Sequence, residues 1–189
     1  MGNIIDDPNL RERLHVFRDR FHAGKLLAKM IQKHVPLENA ILLAIPAGGV
    51  PIGYEVSKEL KLPMDVIIVR KIQIPWDPEA GFGAISWDGE VALNEQLVDQ
   101  LKLTHDDIKS SIAKTMKTIQ ARVKKLRKNK PMPDIRNKTI IIVDDGLASG
   151  YTMLAAVRSI RKREPKRIVV AAPTASINAV KLLSKEADD

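Results

Sequence analysis

The sequence predicts an α/β fold, a mostly parallel sheet flanked by helices. Two observations predict it: strand and helix signals alternate along the chain, and the strands are nearly continuous apolar runs of the kind buried on both faces. At 189 residues the chain fits one domain, 1–189, long enough to bury a full core.

Phe17 to His34 reads as an amphipathic opening helix, with Phe17, Phe21, Ala28 and Ile31 at helical spacing. A short apolar strand, Ile41 to Ile45, leads into Pro46-Ala47-Gly48-Gly49-Val50, and Pro51 suits the first position of a helix reaching about Leu60. After the Leu62-Pro63 break, Asp65 to Ile72 reads as one strand rich in branched residues. Gln73 to Asn94 differs in character, carrying Pro75, Trp76, Pro78, Gly81 and Gly83. Its Asp88-Gly89 pair, flanked by Gly83 to Trp87 and Glu90 to Leu93, predicts a tight hairpin turn. Thr104 to Arg127 is helical again, opened by a Thr104-x-x-Asp107 capping pattern, and Lys128 to Lys138 is a polar connector. The strongest strand is Thr139 to Val143, followed by Asp144-Asp145-Gly146-Leu147-Ala148-Ser149-Gly150. A helix from about Tyr151 to Lys162, a strand Arg167 to Ala172 and a helix from about Ala175 to Glu186 complete the pattern. The alternation leads one to expect a further strand after that last helix. There is no internal repeat and no low-complexity tract.

Composition narrows the function classes. No apolar run approaches the roughly 20 residues of a membrane span, and the acidic N-terminus is no secretory signal, so a cytoplasmic address is expected. Gly2 does not read as a myristoylation site, because Asp6 stands where a Ser or Thr is usual. The absence of cysteine removes disulfides, thiolate nucleophiles and Cys-based zinc sites, and the four histidines show no metal-ligand spacing. The net charge of +8 gathers in Lys114 to Lys130 and Arg158 to Arg167 without interleaved aromatics, which fits solvated helix faces better than a single-strand stacking platform. Neither the Gly-x4-Gly-Lys-Ser/Thr loop of ATP-driven proteins nor the Gly-x-Gly-x-x-Gly dinucleotide turn is present.

The chemistry concentrates between Ile140 and Thr152. In open α/β sheets the ligand crevice lies at the carboxyl ends of the strands, where Asp144 and Asp145 fall. Ala148-Ser149-Gly150-Tyr151-Thr152 then presents backbone N–H groups at a helix N-terminus, a cradle for phosphate to which Ser149 and Thr152 can add hydroxyls. Two carboxylates beside such a cradle repel a bare anion. They suit a ligand that also brings hydroxyl donors or a divalent cation, such as a ribose diol bearing a phosphate with Mg²⁺ nearby.

Four apolar residues, two acids and a short loop closing on Gly and Thr make Ile140-Ile141-Ile142-Val143-Asp144-Asp145-Gly146-Leu147-Ala148-Ser149-Gly150-Tyr151-Thr152 resemble the signature of the type I phosphoribosyltransferase family. The likeness extends over about Phe17 to Asp189. It implies a type I phosphoribosyltransferase-like fold with a β-hairpin hood at about 72–94, and the basic helix at about 104–128 looks like an insertion. It places Asp144 and Asp145 on the ribose hydroxyls, with metal contact through those hydroxyls or water, and Ala148 to Thr152 around the 5-phosphate. Ala47, Gly48 and Gly49 resemble the pyrophosphate loop, often built with a non-proline cis peptide, although Ala47 stands where relatives often carry a basic residue. Arg70 and Lys71 would balance the developing pyrophosphate charge. Glu79 and Trp76 sit in the hood, which would close over the substrates and exclude water. Some relatives carry an acid at the position of Ala148 to handle a purine proton. Alanine there argues against a 6-oxopurine enzyme of that type, and orotate and adenine enzymes share it. Arg18-Asp19-Arg20 resembles a segment of a poorly characterised branch of the family and reads here as a salt-bridged helix face.

The expected activity is Mg²⁺-dependent transfer of phosphoribosyl from phosphoribosyl pyrophosphate to a nitrogenous acceptor, a nucleobase foremost, releasing pyrophosphate. The family resemblance implies a homodimer. The alternative is a regulator that senses phosphoribosyl pyrophosphate or nucleotides and binds nucleic acid through the basic helices.

Overall fold

A computed structural model describes residues 2–128 and 130–189. Its main sheet is parallel, with strands β1 (Ala40–Ala44), β2 (Met64–Val66), β6 (Thr139–Val143) and β7 (Arg167–Ala171) in the order β2-β1-β6-β7. The second sheet is antiparallel, β3 (Val69–Ile74), β4 (Asp77–Ser86) and β5 (Val91–Leu93) in sequence order.

The central strands are buried throughout because each face is covered. Leu42, Ala44, Ile141 and Val143 face helices α1 (Arg20–His34) and α2 (Gly49–Leu60), forming one core with Leu27, Ile31, Ile52 and Val56. The alternate residues Ile41, Leu43, Ile140 and Ile142 pack against α5 (Tyr151–Arg161) and α6 (Ile177–Leu183). Ile140, Ile141 and Ile142 are all fully buried, and each such side chain stabilises the fold by about 1.5–3 kcal/mol. The antiparallel sheet lays Val69, Ala84 and Ala92 on the α5 side, while Ile72, Phe82 and Ile85 form a third core with Val98 of α3 (Glu95–Gln100) and Ile119 of α4 (His105–Arg127).

Several boundaries differ from the sequence reading for identifiable reasons. Asp65 to Ile72 is not one strand. Its start, β2, belongs to the parallel sheet and its end, β3, to the antiparallel one. Ile67 and Ile68, at the crossover, are buried in two different cores, so no polar residue marks the change. The opening helix begins at Arg20 because Asp19 caps it, its carboxylate accepting from the His22 N–H at 2.7 Å. Phe17 therefore lies outside the helix, edge-on to His22, and Phe21 is half exposed instead of buried. Helix α2 begins two residues earlier than expected, with Pro51 still in the first turn, where no helical N–H partner is required. The short helix α3, capped by Asn94, was not expected, and α6 is shorter than the periodicity suggests. The Asp88-Gly89 turn and the Thr104 capping box form as read.

After α6 the chain returns to the sheet edge. Asp189 donates to the carbonyl of Ile168 at 3.4 Å and accepts from the Val170 N–H at 3.0 Å, the bonding pattern of a parallel neighbour beside β7.

Candidate active site

Strands β1 and β6 run side by side in register, Ala44 opposite Val143, so the loops leaving their carboxyl ends must lie together. One is Pro46 to Gly48, the other Asp144 to Gly150. The Ile45 N–H donates to the Val143 carbonyl at 2.9 Å and stitches the loops at their base. The Pro46–Ala47 peptide is cis. The loops approach so closely that a β-carbon on Gly49 would lie 2.6 Å from the Val143 carbonyl oxygen.

The two acids occupy different environments. Asp144 is partly buried, its backbone N–H bonded to the Ala171 carbonyl at 3.3 Å, and its Oδ1 accepts from the Asp145 N–H at 2.8 Å. Burial pushes its carboxyl up to about 6, with the charge of Asp145 adding to the shift and the Asp145 N–H opposing it. Asp145 is more open, lies against Gly48, and is held by Arg20, whose Nη2 and Nε donate to Oδ2 at 2.7 and 3.1 Å.

Beyond the acids the turn is braced from behind and open in front. Leu147 is buried and bridges Ala175, its N–H donating to the Thr174 carbonyl at 2.9 Å. The Ser176 hydroxyl donates to the Ala148 carbonyl at 2.6 Å. Ala148 and Ser149 are exposed, while Tyr151 and Thr152 are half buried. Gly150 caps α5 with φ 84°, in the left-handed region. A glycine cap has no side chain to satisfy the first-turn N–H groups, so these donors remain for an anion.

Arg70 and Lys71, as neighbours on a strand, project to opposite faces of the sheet. Arg70 shares its face with the α4 side, where burial and the nearby Arg122 charge lower its pKa. Lys71 takes the other face, and its ammonium donates to the Glu79 carbonyl within the hairpin. Among the described residues neither makes a hydrogen bond or ion pair to Asp144 or Asp145. Trp76 and Glu79 are exposed on the hairpin.

Arg20 is the residue that sequence reasoning misplaced. Arg18-Asp19-Arg20 is not a salt-bridged helix face: Asp19 caps, and Arg20 reaches a partner 125 residues away. Two cavities, of about 190 Å³ between Gln73, Pro78 and Lys114 and about 340 Å³ between Met132, Arg136 and Arg163, border neither the acids nor the 148–152 turn. The candidate site lies at the carboxyl edge of the sheet, where Ala148 and Ser149 are exposed. Among the described residues no cluster of three or more His, Cys, Asp or Glu could enclose a metal. Two adjacent carboxylates do fit Mg²⁺, which is typically held by one or two carboxylates with the remaining oxygens from phosphates and water.

At the carboxyl edge of the parallel sheet, then, paired acids lie beside a helix turn whose first N–H groups have no side-chain cap. The chain belongs to the phosphoribosyltransferase family, residues 89–187 matching the phosphoribosyl transferase domain. It is 34% identical to TT1426 from Thermus thermophilus, over 91% of this chain and 81% of that one, with a TM-score of 0.72. Two sequences of Mycobacterium tuberculosis, strains CDC 1551 / Oshkosh and ATCC 25618 / H37Rv, each named "Putative phosphoribosyl transferase", are 32% identical over 176 residues. That match covers 93% of this chain, which spans 40% of the length of those relatives. A hypoxanthine phosphoribosyltransferase from Staphylococcus aureus shares the fold at 14% identity and a TM-score of 0.50, covering 89% of this chain and 79% of that one. No helix among the described residues is long and apolar enough to cross a membrane.

Proposed function

We propose that the chain transfers phosphoribosyl from phosphoribosyl pyrophosphate to a nitrogen of an acceptor, a nucleobase foremost, and releases pyrophosphate. The observation that carries this reading is the juxtaposition of Asp144 and Asp145 with the uncapped N-terminus of α5 at the end of the central strand.

Asp144 and Asp145 accept hydrogen bonds from the two ribose hydroxyls. The amides of Ala148 to Thr152, with the Ser149 and Thr152 hydroxyls, receive the 5-phosphate. The amides of Ala47 and Gly48 lie on the neighbouring loop, where the pyrophosphate would extend, next to that of Gly49, which donates to the Ile45 carbonyl at 3.0 Å. Asp144 and Asp145, through ribose hydroxyls or water, would hold Mg²⁺, which would supply neutralisation of charge on the leaving group. The bond from the ribosyl carbon to the pyrophosphate oxygen breaks, its electron pair leaving with pyrophosphate. A new bond to the acceptor nitrogen forms, and the nitrogen's proton is lost to solvent. The protein contributes position and charge and no covalent intermediate. Lys71, bonded to the Glu79 carbonyl, would meet the departing charge only by leaving that contact. Arg70, facing α4, is not assigned that role.

The family resemblance also supports a homodimer, which a sedimentation measurement would test. Incubation with phosphoribosyl pyrophosphate, Mg²⁺ and a panel of bases should yield nucleotide and pyrophosphate. The double substitution Asp144→Asn with Asp145→Asn should abolish turnover, and undiminished activity in that variant would refute the assignment.

The regulator reading draws on one feature. The outward face of α4 exposes Lys109, Lys114, Lys117, Lys124 and Lys125, none ion-paired among the described residues. Nucleic-acid binding there would weaken steeply with salt, and an absence of binding at moderate salt eliminates it.

A further inference from the structure

Resting on the phosphoribosyl reading of the site, we propose that Arg20 is the cation that receives the ligand's diphosphate, supplying the charge that the Pro46–Gly49 loop lacks. That loop, Pro46-Ala47-Gly48-Gly49, has no charged side chain of its own. A diphosphate gripped by its amides alone would stand beside two carboxylates, with Mg²⁺, when bound, as the one counter-charge the loop region itself brings. Lys71 is engaged with the Glu79 carbonyl and Arg70 lies on the α4 side. The guanidinium bonded to the acid pair belongs to Arg20.

Its placement fits the role. The Asp145 carboxylate lies so close to Gly48 that a β-carbon there would fall 2.0 Å from Oδ2, the oxygen that Arg20 holds. The guanidinium is thus one carboxylate removed from the loop. It is firmly mounted, because Arg20 is the first residue of α1, fixed by the Asp19 cap. Helix α1 packs tightly on α2, the helix that the loop opens: a β-carbon on Gly24 would lie 2.8 Å from the Glu55 β-carbon. Yet the side chain is free to turn, with 59% of it exposed. Both bonds to Asp145 converge on the single oxygen Oδ2, and among the described residues Nη1 has no hydrogen-bond partner. When a ribose hydroxyl occupies Asp145, the guanidinium can move its planar fork to phosphoryl oxygens, the geometry in which arginine binds most strongly.

The test compares the affinity of the full chain for phosphoribosyl pyrophosphate with that for ribose 5-phosphate, both with Mg²⁺, by titration calorimetry. Arg20→Ala should lower the ratio of the two affinities by about tenfold or more, the worth of a charge-assisted bond. Arg20→Lys should recover part of it, and Arg18→Ala, the neighbouring exposed arginine, should leave it unchanged. An unchanged ratio in Arg20→Ala, whether both ligands bind as before or both weaken equally, overturns the proposal and leaves Arg20 an ion pair that positions Asp145. If the parent protein binds neither ligand, the phosphoribosyl reading itself fails. Circular dichroism confirms that each variant is folded.

Discussion

A β-carbon on Gly48 would lie 2.0 Å from Oδ2 of Asp145, so the glycine of one loop forms the wall against which the acid of the other rests. The obstacle is a side-chain end that can rotate away, so Gly48→Ala should cost the fold little, about 1 kcal/mol or less. The displaced carboxylate would no longer meet a ribose hydroxyl. Affinity for ribose 5-phosphate should fall about tenfold or more while the melting temperature barely moves, as calorimetry and thermal unfolding would show.

Asp144 gives the protein a pH signature. Its carboxyl is raised to about 6 by burial foremost, above the unfolded value of 3.8. Between those values the folded chain keeps a proton that the unfolded chain has lost. The resulting stabilisation is full below 3.8 and disappears as pH rises through about 6. Asn cannot ionise, and its carbonyl can still accept from the Asp145 N–H. Asp144→Asn should therefore be more stable than the parent at pH 8, by about 1–3 kcal/mol, with the advantage shrinking toward pH 4. Urea midpoints across that range in metal-free buffer provide the check, and parallel curves would contradict it.

Gly150 combines a left-handed φ of 84° with a β-carbon position 3.1 Å from the Ala179 β-carbon. Gly150→Ala should cost about 1–2 kcal/mol in thermal unfolding. Because α6 cannot yield without disturbing the turn, binding of inorganic phosphate or ribose 5-phosphate should weaken in the same variant.

Arg127 is 5% exposed and uses all five guanidinium donors: two on the Asp65 carboxylate at 2.8 Å each, and three on the Val66, Lys130 and Pro131 carbonyls. It ties the end of α4 to the edge strand β2. Arg127→Met should destabilise by about 3–5 kcal/mol because Asp65 and the carbonyls lose their donors. Lysine lacks the planar fork and should rescue little. None of these partners belongs to the candidate site, so ligand affinity of the folded fraction should be unchanged.

Much of the layout was legible because it follows from local periodicity. Thr139 to Val143 is apolar at every position except its first, which marks a strand buried on both faces, and the acids and small-residue turn after it mark the carboxyl edge. The Asp88-Gly89 turn and the Thr104 capping box are likewise written in adjacent residues. The transfer of the chain between sheets at Ile67 and Ile68 was hidden, since burial in either core calls for the same apolar side chains.

By itself, the sequence determined most of the alternation of strands and helices and set the paired acids ahead of a small-residue turn at a helix N-terminus. Only the tertiary structure decided which face each side chain serves. It set Arg70 toward α4, left Lys71 on the hairpin's other face, and brought Arg20 onto Asp145. The reason is range: capping and periodicity act over a few residues, whereas an ion pair spanning 125 positions exists only after β1 and β6 lie side by side and α1 has packed on α2.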